Sequence, residues 1–238
     1  MCKILNINRL SAKAMALFPL LLALCILSSC SKPLSQRMVE SEMKRCPTAA
    51  DLDGMGGKLK WNYTTGLELL SFLDAGCDLQ YVDAWYDAII REDGSVGANY
   101  KKSNYSLDHV CPARTLFKLY DLTGKEKYRK AIDTLYTQLC TQPRTEAGAF
   151  WHKKIYPYQV WLDGLYMGEP FYAEYSATRL NSTHEKYVNF DDIADQFRTA
   201  YSKCYDYATG LLRQAWDESG SMFWADPASG QSAHSWGR

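Results

Sequence analysis

The chain has 238 residues, 47% of them hydrophobic and 13% aromatic, and its 27 Lys and Arg balance 27 Asp and Glu. This is enough apolar sequence for a sizeable core. It excludes the basic surface that nucleic acid requires, since no basic run exceeds a pair such as Lys101-Lys102 or Lys153-Lys154.

At the start, Lys3, Arg9 and Lys13 precede an apolar run from Ala14 to Leu27, and no acid occurs before Cys30. That order is the n-region and h-region of a signal peptide, too short for a transmembrane span. Its end, Leu27-Ser28-Ser29-Cys30, resembles the lipobox of bacterial lipoproteins. The resemblance implies a signal peptide over residues 1–29, then a lipidated tether and first short helix over residues 30–48, with the lipid on Cys30. A plain secretory signal is the alternative. Either way the expected product is exported, and with the lipobox it is a bacterial membrane-anchored lipoprotein, periplasmic or at the cell surface, that meets the membrane only through its lipid. Cleavage would leave 24 basic residues (27 less the three named) against 27 acidic ones.

Cys2 and Cys25 would leave with the leader. Cys46, Cys77, Cys111, Cys140 and Cys204 remain, widely spaced and odd in number. With no CxxC pair, neither a zinc site nor a disulfide framework is indicated, and most of them read as small buried residues.

Leu34 to Arg45 reads as a short helix stopped by Pro47. Residues 49–60, with Asp51, Asp53, Gly54, Gly56 and Gly57, are loop chemistry too poor in oxygen ligands for a calcium loop. Trp61 to Ala75 has helical apolar spacing and closes at Gly76. Leu79 to Arg91 gives the returning helix, and a Gly-, Asn- and Ser-rich loop follows over residues 93–104. Leu107 to Leu122 and Lys125 to Cys140 form the next pair, split by Thr123-Gly124. A third pair runs from Asp163 to about Leu180, with Pro170 kinking or restarting it, and from Asp191 to Tyr205. No alternating strand run is evident, although residues 221–225 could be extended.

A weak repeat supports the pairing: Glu126-Lys127-Tyr128 is echoed by Glu185-Lys186-Tyr187, and helix, turn and returning helix at such a period signal stacked hairpins or a toroid. The fold class is therefore all-α. In a ring of hairpins the segments before the inner helices build one rim. Here those are residues 93–108, 150–163 and 210–238, which hold most of the aromatics, histidines and acids outside the helices.

The densest stretch is AFWHKKIYPYQVWLDGLYMGEPFYAEYS, from Ala149 to Ser176. Rings that cover sugar faces beside a carboxyl group that moves a proton are the composition of a sugar-binding cleft. Asp163 opens a helix there, where the helix dipole meets it with positive potential. The plain alternative is an aromatic core with Asp163 as an N-cap. Asp108, in SLDHVCPA, opens the preceding inner helix, so two carboxyls could face one pocket; Asp108 too could be a cap. His109 and His152 could orient or ligate, or be polar structure. No GxSxG elbow occurs, which removes the serine-hydrolase reading.

These residues carry a family resemblance. LDHVCPAR around Asp108, FWHKKIYPYQVWLDGLYMGEPF around Asp163, GLLRQAWDES around Trp216 and the final SWGR resemble the unsaturated rhamnogalacturonyl hydrolases, glycoside hydrolase family 105. The resemblance covers nearly everything after the tether. It implies an (α/α)6 toroid, with residues 49–238 as the N-terminal part of the glycoside hydrolase domain. It implies Asp163 as general acid/base and Asp108 as its partner, with His152, Lys153, Trp161, Met167, Gln214, Trp236 and Arg238 lining the substrate pocket. The implied partner is an unsaturated uronate-containing oligosaccharide, and no metal or cofactor is needed. Gln214 departs from relatives with histidine there. In the family SWGR is followed by further helices, so the chain is expected to be an incomplete ring, weakly stable and of little activity. Two other readings stay open: an unsaturated glucuronyl hydrolase acting on glycosaminoglycan fragments, and a non-catalytic glycan-binding surface lipoprotein.

Overall fold

The computed structural model describes residues 32–236; the lipobox with Cys30, and Gly237 and Arg238 at the other end, lie outside the described residues. The protein is all-α, of the six-hairpin toroid class, and the described residues hold seven α-helices and four very short strands. Helix α1 is Leu34–Arg45, and a 3-10 stretch over Ala49–Gly54 follows. The first hairpin is α2, Tyr63–Asp74, and α3, Leu79–Ile89. The second is α4, Arg114–Thr123, and α5, Glu126–Leu139. The third is α6, Leu162–Thr178, and α7, Thr183–Cys204.

Each hairpin turns where the sequence punctuates it. Asp78 accepts a hydrogen bond from the Gln80 amide and so caps α3. Gly124 takes the left-handed conformation, φ 65°, that ends α4. The first members α2, α4 and α6 pack side by side in sequence order, and α5 lies against both α4 and α6. One apolar core runs through all of them, with Trp61, Tyr86, Leu116, Leu135 and Phe171 almost wholly buried. Inside it the Trp61 and Trp85 rings stack at 5.7 Å.

The helices depart from sequence expectation at three points. The single helix expected from Leu107 breaks into two 3-10 turns, Leu107–His109 and Cys111–Ala113, before α4 begins. Pro112 has no N–H to donate and disfavours helical geometry in the residue before it. Conversely, α6 runs unbroken through Pro170, because Phe171 and Tyr172 on the next turn are buried in the core and hold it. Last, α7 begins at Thr183, well ahead of Asp191: Ser182 accepts from the Glu185 amide and caps it.

The strands are only two or three residues long. Strand β1, Gln159–Trp161, pairs antiparallel with β4, Ala215–Asp217, and β2, Tyr205–Asp206, pairs with β3, Leu211–Leu212. Residues 221–225 form turns with a single bridge from Ala225 to Ser232, so they are not a strand. Of the five described cysteines, Cys46, Cys111 and Cys204 are buried, and all five are free thiols.

Candidate active site

The three loop segments ahead of α4, ahead of α6 and after α7 are joined by main-chain hydrogen bonds. The Leu107 amide donates to the His152 carbonyl at 3.0 Å, and the Lys154 amide to the Asn104 carbonyl at 3.0 Å. Leu162 at the start of α6 donates to the Gln214 carbonyl, and Glu218 to the Tyr158 carbonyl, both at 3.0 Å. Tyr105 and Tyr158, with φ of 45° and 65°, turn through the left-handed region that bulky residues avoid. Each costs about 1 kcal/mol or more, and each lies a few residues ahead of a candidate site side chain.

These ties bring Asp108, His152, Lys153 and Asp163 together. His152 Nε2 lies 3.1 Å from Asp108 Oδ1, and Lys153 Nζ lies 2.5 Å from Asp108 Oδ2. The other ring nitrogen of His152 faces Asp163, with Nδ1 3.9 Å from Oδ1. The imidazole, buried to 5% exposure, thus stands between two carboxyls. Burial alone would raise the Asp108 pKa, but the hydrogen bond from His152 and the bond and positive charge of Lys153 outweigh it and hold the carboxyl at about 2.

Asp163 is not the N-cap of α6. Trp161 holds the cap position without a side-chain bond, and Asp163 sits in the first turn. Its Oδ1 is shielded from solvent and has no hydrogen-bond partner. That oxygen faces the His152 ring, while the side chain as a whole is 35% exposed, so the carboxyl, spared from capping at the positive end of a 17-residue helix, presents its remaining surface to the pocket. Of the pocket walls, Trp161 packs its ring against His152 at 6.1 Å and Tyr156 at 6.3 Å, and meets Trp224 edge-on at 5.6 Å. Trp236 is half exposed, and its amide donates to the Leu212 carbonyl.

The remaining sequence candidates serve differently. Met167, one turn beyond Asp163, is buried in the main core. Gln214 supports the start of α6 through its carbonyl. His109 packs its ring near Tyr100 at 5.8 Å, and its carbonyl accepts from the Trp61 indole. Asp217 is buried and ties its own turn by accepting from Ser219 and Met222. Glu218 accepts from the Glu146 and Ala147 amides and clamps that turn.

Sequence reasoning missed Trp224, Arg144 and Glu169. The Arg144 guanidinium makes a two-pronged contact to Asp192 at 2.7 and 2.6 Å and covers the Phe150 ring, so it fastens α7 beneath the His152 loop. Nothing local signals that pairing, whose partners are 48 residues apart. Among the described residues, no group of three or more His, Cys, Asp or Glu is placed to hold a metal ion.

A pair of carboxyls flanking a histidine, with tryptophan rings beside them at the rim of helical hairpins, is an arrangement for proton transfer. The profile of Glycosyl Hydrolase Family 88 matches residues 34–238. The chain belongs to the family 88 and 105 glycoside hydrolases. It is similar to a solved glycoside hydrolase from family 105 of C. acetobutylicum, with 38% identity and a TM-score of 0.74 over 87% of this chain. Two possible family 105 members, from Klebsiella pneumoniae and Salmonella enterica, share the fold at 22% identity, with TM-scores of 0.55 and 0.53 over 69% and 71% of this chain. The chain spans 55%, 42% and 45% of the length of those three structures. In this member of the family, Asp108 stands ahead of α4 and Asp163 in the first turn of α6, the first helices of two neighbouring hairpins.

Proposed function

We propose that the protein removes unsaturated galacturonyl residues from rhamnogalacturonan oligosaccharides by hydrating the C4=C5 double bond. The observation that carries this is the His152 ring set between Asp108, held charged, and Asp163, whose carboxyl is partly exposed. The WLDGLYMGEPF string, rather than the overall fold, favours the pectic substrate over glycosaminoglycan fragments.

The residues divide the steps as follows. Asp163 as acid gives its proton to C4, and positive charge develops at C5, shared with the ring oxygen. A water loses its proton to a carboxylate and bonds to C5. The resulting hemiketal opens, and the hemiacetal left at C1 breaks its bond to the next sugar. Asp108, kept anionic by Lys153 and His152, orients the imidazole and stabilises the cationic state. The Trp161 and Trp236 faces suit the same developing charge. Arg238, outside the described residues, is assigned to the substrate carboxylate.

The test is turnover of a pectin-lyase digest, followed by loss of the double bond's ultraviolet absorbance, beside unsaturated glycosaminoglycan disaccharides. Faster loss with the pectic disaccharide supports the proposal. Preference for the glycosaminoglycan substrate replaces it with the glucuronyl reading, and no turnover of either leaves glycan binding alone.

We propose as well that the protein is exported and held at a membrane by a lipid on Cys30. No helix of the described residues is long and apolar enough to cross a membrane. Cys30→Ala should then shift the protein from the membrane fraction to the soluble one; a variant that stays membrane-bound after leader removal would overturn the assignment.

A further inference from the structure

Behind the candidate centre lies a small, narrow pocket with a volume of about 10 Å³, lined by Leu107, Phe150, Val160, Trp161 and Leu165 together with His152, Glu169 and Gln196. A space of that size holds one water molecule, provided polar atoms are there to bind it. Gln196 is fully engaged: its oxygen accepts from the Phe150 amide, and its nitrogen donates to the Gly148 carbonyl and to Asp192. Two other polar atoms are shielded from solvent and have no partner, Nδ1 of His152 and Oε2 of Glu169. Both side chains are more than nine-tenths buried, at 5% and 3% exposure. Gly164, which also lines the cavity, keeps it open, since a Cβ there would stand 3.0 Å from Nδ1 and 3.2 Å from a Leu107 methyl.

We infer that this cavity is a built hydration site, and that Glu169 is a positioning residue for His152, acting through one water held between its carboxyl and Nδ1. The inference rests on the reading of Asp108, His152 and Asp163 as the chemical centre. A buried polar atom left without a partner is costly, and one bridging water relieves two of them at once.

The direction of the bonds follows from the charges around the cavity. Burial raises the Glu169 pKa to about 8; the Asp192 carboxylate adds to the rise and the Arg144 guanidinium opposes it. At neutral pH Glu169 is therefore an acid O–H, which donates to the water. The water donates to Nδ1, and His152 is left with its proton on Nε2, where it donates to the Asp108 carboxylate. The ring is fixed as one tautomer, with its bond to Asp108 aimed and its other edge beside Asp163.

The chain has four histidines, so the His152 ring can be followed by nitrogen-15 NMR in the intact protein without any substrate. The expected spectrum has the proton on Nε2, in a hydrogen bond to Asp108, and Nδ1 accepting from the water. Glu169→Gln, whose amide still donates, should keep that signature, and Glu169→Leu should lose it. A crystal structure of the wild type should show one water within hydrogen-bond distance of both side chains. In a turnover assay Glu169→Leu should lower kcat roughly tenfold or more with KM little changed, and Glu169→Gln should restore most of it. A wild-type ring protonated at Nδ1, a dry cavity, or a His152 spectrum unchanged in Glu169→Leu would each overturn the inference. Should Glu169→Leu fail to fold, the wild-type spectrum and Glu169→Gln decide it. An inactive wild type would count against the hydrolase reading alone, because the spectrum does not depend on turnover.

Discussion

The ammonium of Lys153 stands 2.5 Å from Oδ2 of Asp108. Together with His152 on the other oxygen, it separates the two candidate carboxyls by role. Asp108 is locked in the charged form at about pKa 2, whereas Asp163 has no lysine or arginine in ion-pair contact among the described residues.

Lys153→Met therefore tests the lock. Because the folded-state pKa of Asp108 lies below its ordinary value, its stabilising contribution is full above about pH 4 and is lost as pH falls through 2. Because His152 keeps the larger share of the effect, the variant should lose on the order of 1 kcal/mol at pH 7, and the gap to wild type should close near pH 2. Urea unfolding at the two pH values measures it; an equal gap at both would show that the lysine acts by packing.

Asp163→Asn should lower kcat by about 10²–10⁴-fold with helicity unchanged. Asn keeps the size of the side chain, and no capping bond is lost, since Asp163 makes none. Near-normal turnover of the unsaturated disaccharide would remove the acid from that residue.

Glu169→Gln should reverse a pH trend. A carboxyl whose folded-state pKa is raised to about 8 leaves stability intact below its ordinary value of 4.5 and costs more as pH climbs from there to 8. Asp192, Arg144 and His152 are the charged or titratable groups around it. Against wild type, the variant should be on the order of 4 kcal/mol more stable at pH 8 and equal at pH 4. Thermal melts across that range check it, and parallel curves would refute it.

Gly66→Ala should destabilise the fold by about 1–3 kcal/mol without touching the site. A Cβ on Gly66, in α2, would lie 2.6 Å from the Pro112 side chain and 2.7 Å from its backbone. Chemical denaturation measures the loss; wild-type stability would mean that the 3-10 turn at Pro112 yields freely.

Much of the frame was legible in the sequence. The ends of α1 fall at Leu34 and Arg45 as the apolar spacing and Pro47 indicate, and Gly76 and Gly124 mark the turns by their left-handed backbone. Asp108, His152 and Asp163 were readable as a group because the rim of a hairpin ring collects the loops before its inner helices. The start of α7 was readable and overlooked, since Ser182 followed by Glu185 is a capping pair. What local pattern could not convey was long-range: the pairing of Gln159 with Asp217, the fastening of Arg144 to Asp192, and the burial of Glu169. Glu169 in particular looks like a surface residue beside Pro170, and only the packing of α7 and the His152 loop encloses it.

The ties between the loops run from amide to carbonyl, at Leu107 to His152, Lys154 to Asn104 and Leu162 to Gln214. Peptide groups are common to every residue but proline, so this lattice is indifferent to most side chains hung upon it. Evolution can recolour the walls of the cleft, trading one ring or cation for another, while the two acids stay in register. Substrate preference in such an architecture is free to drift quickly over a chemistry that stands still.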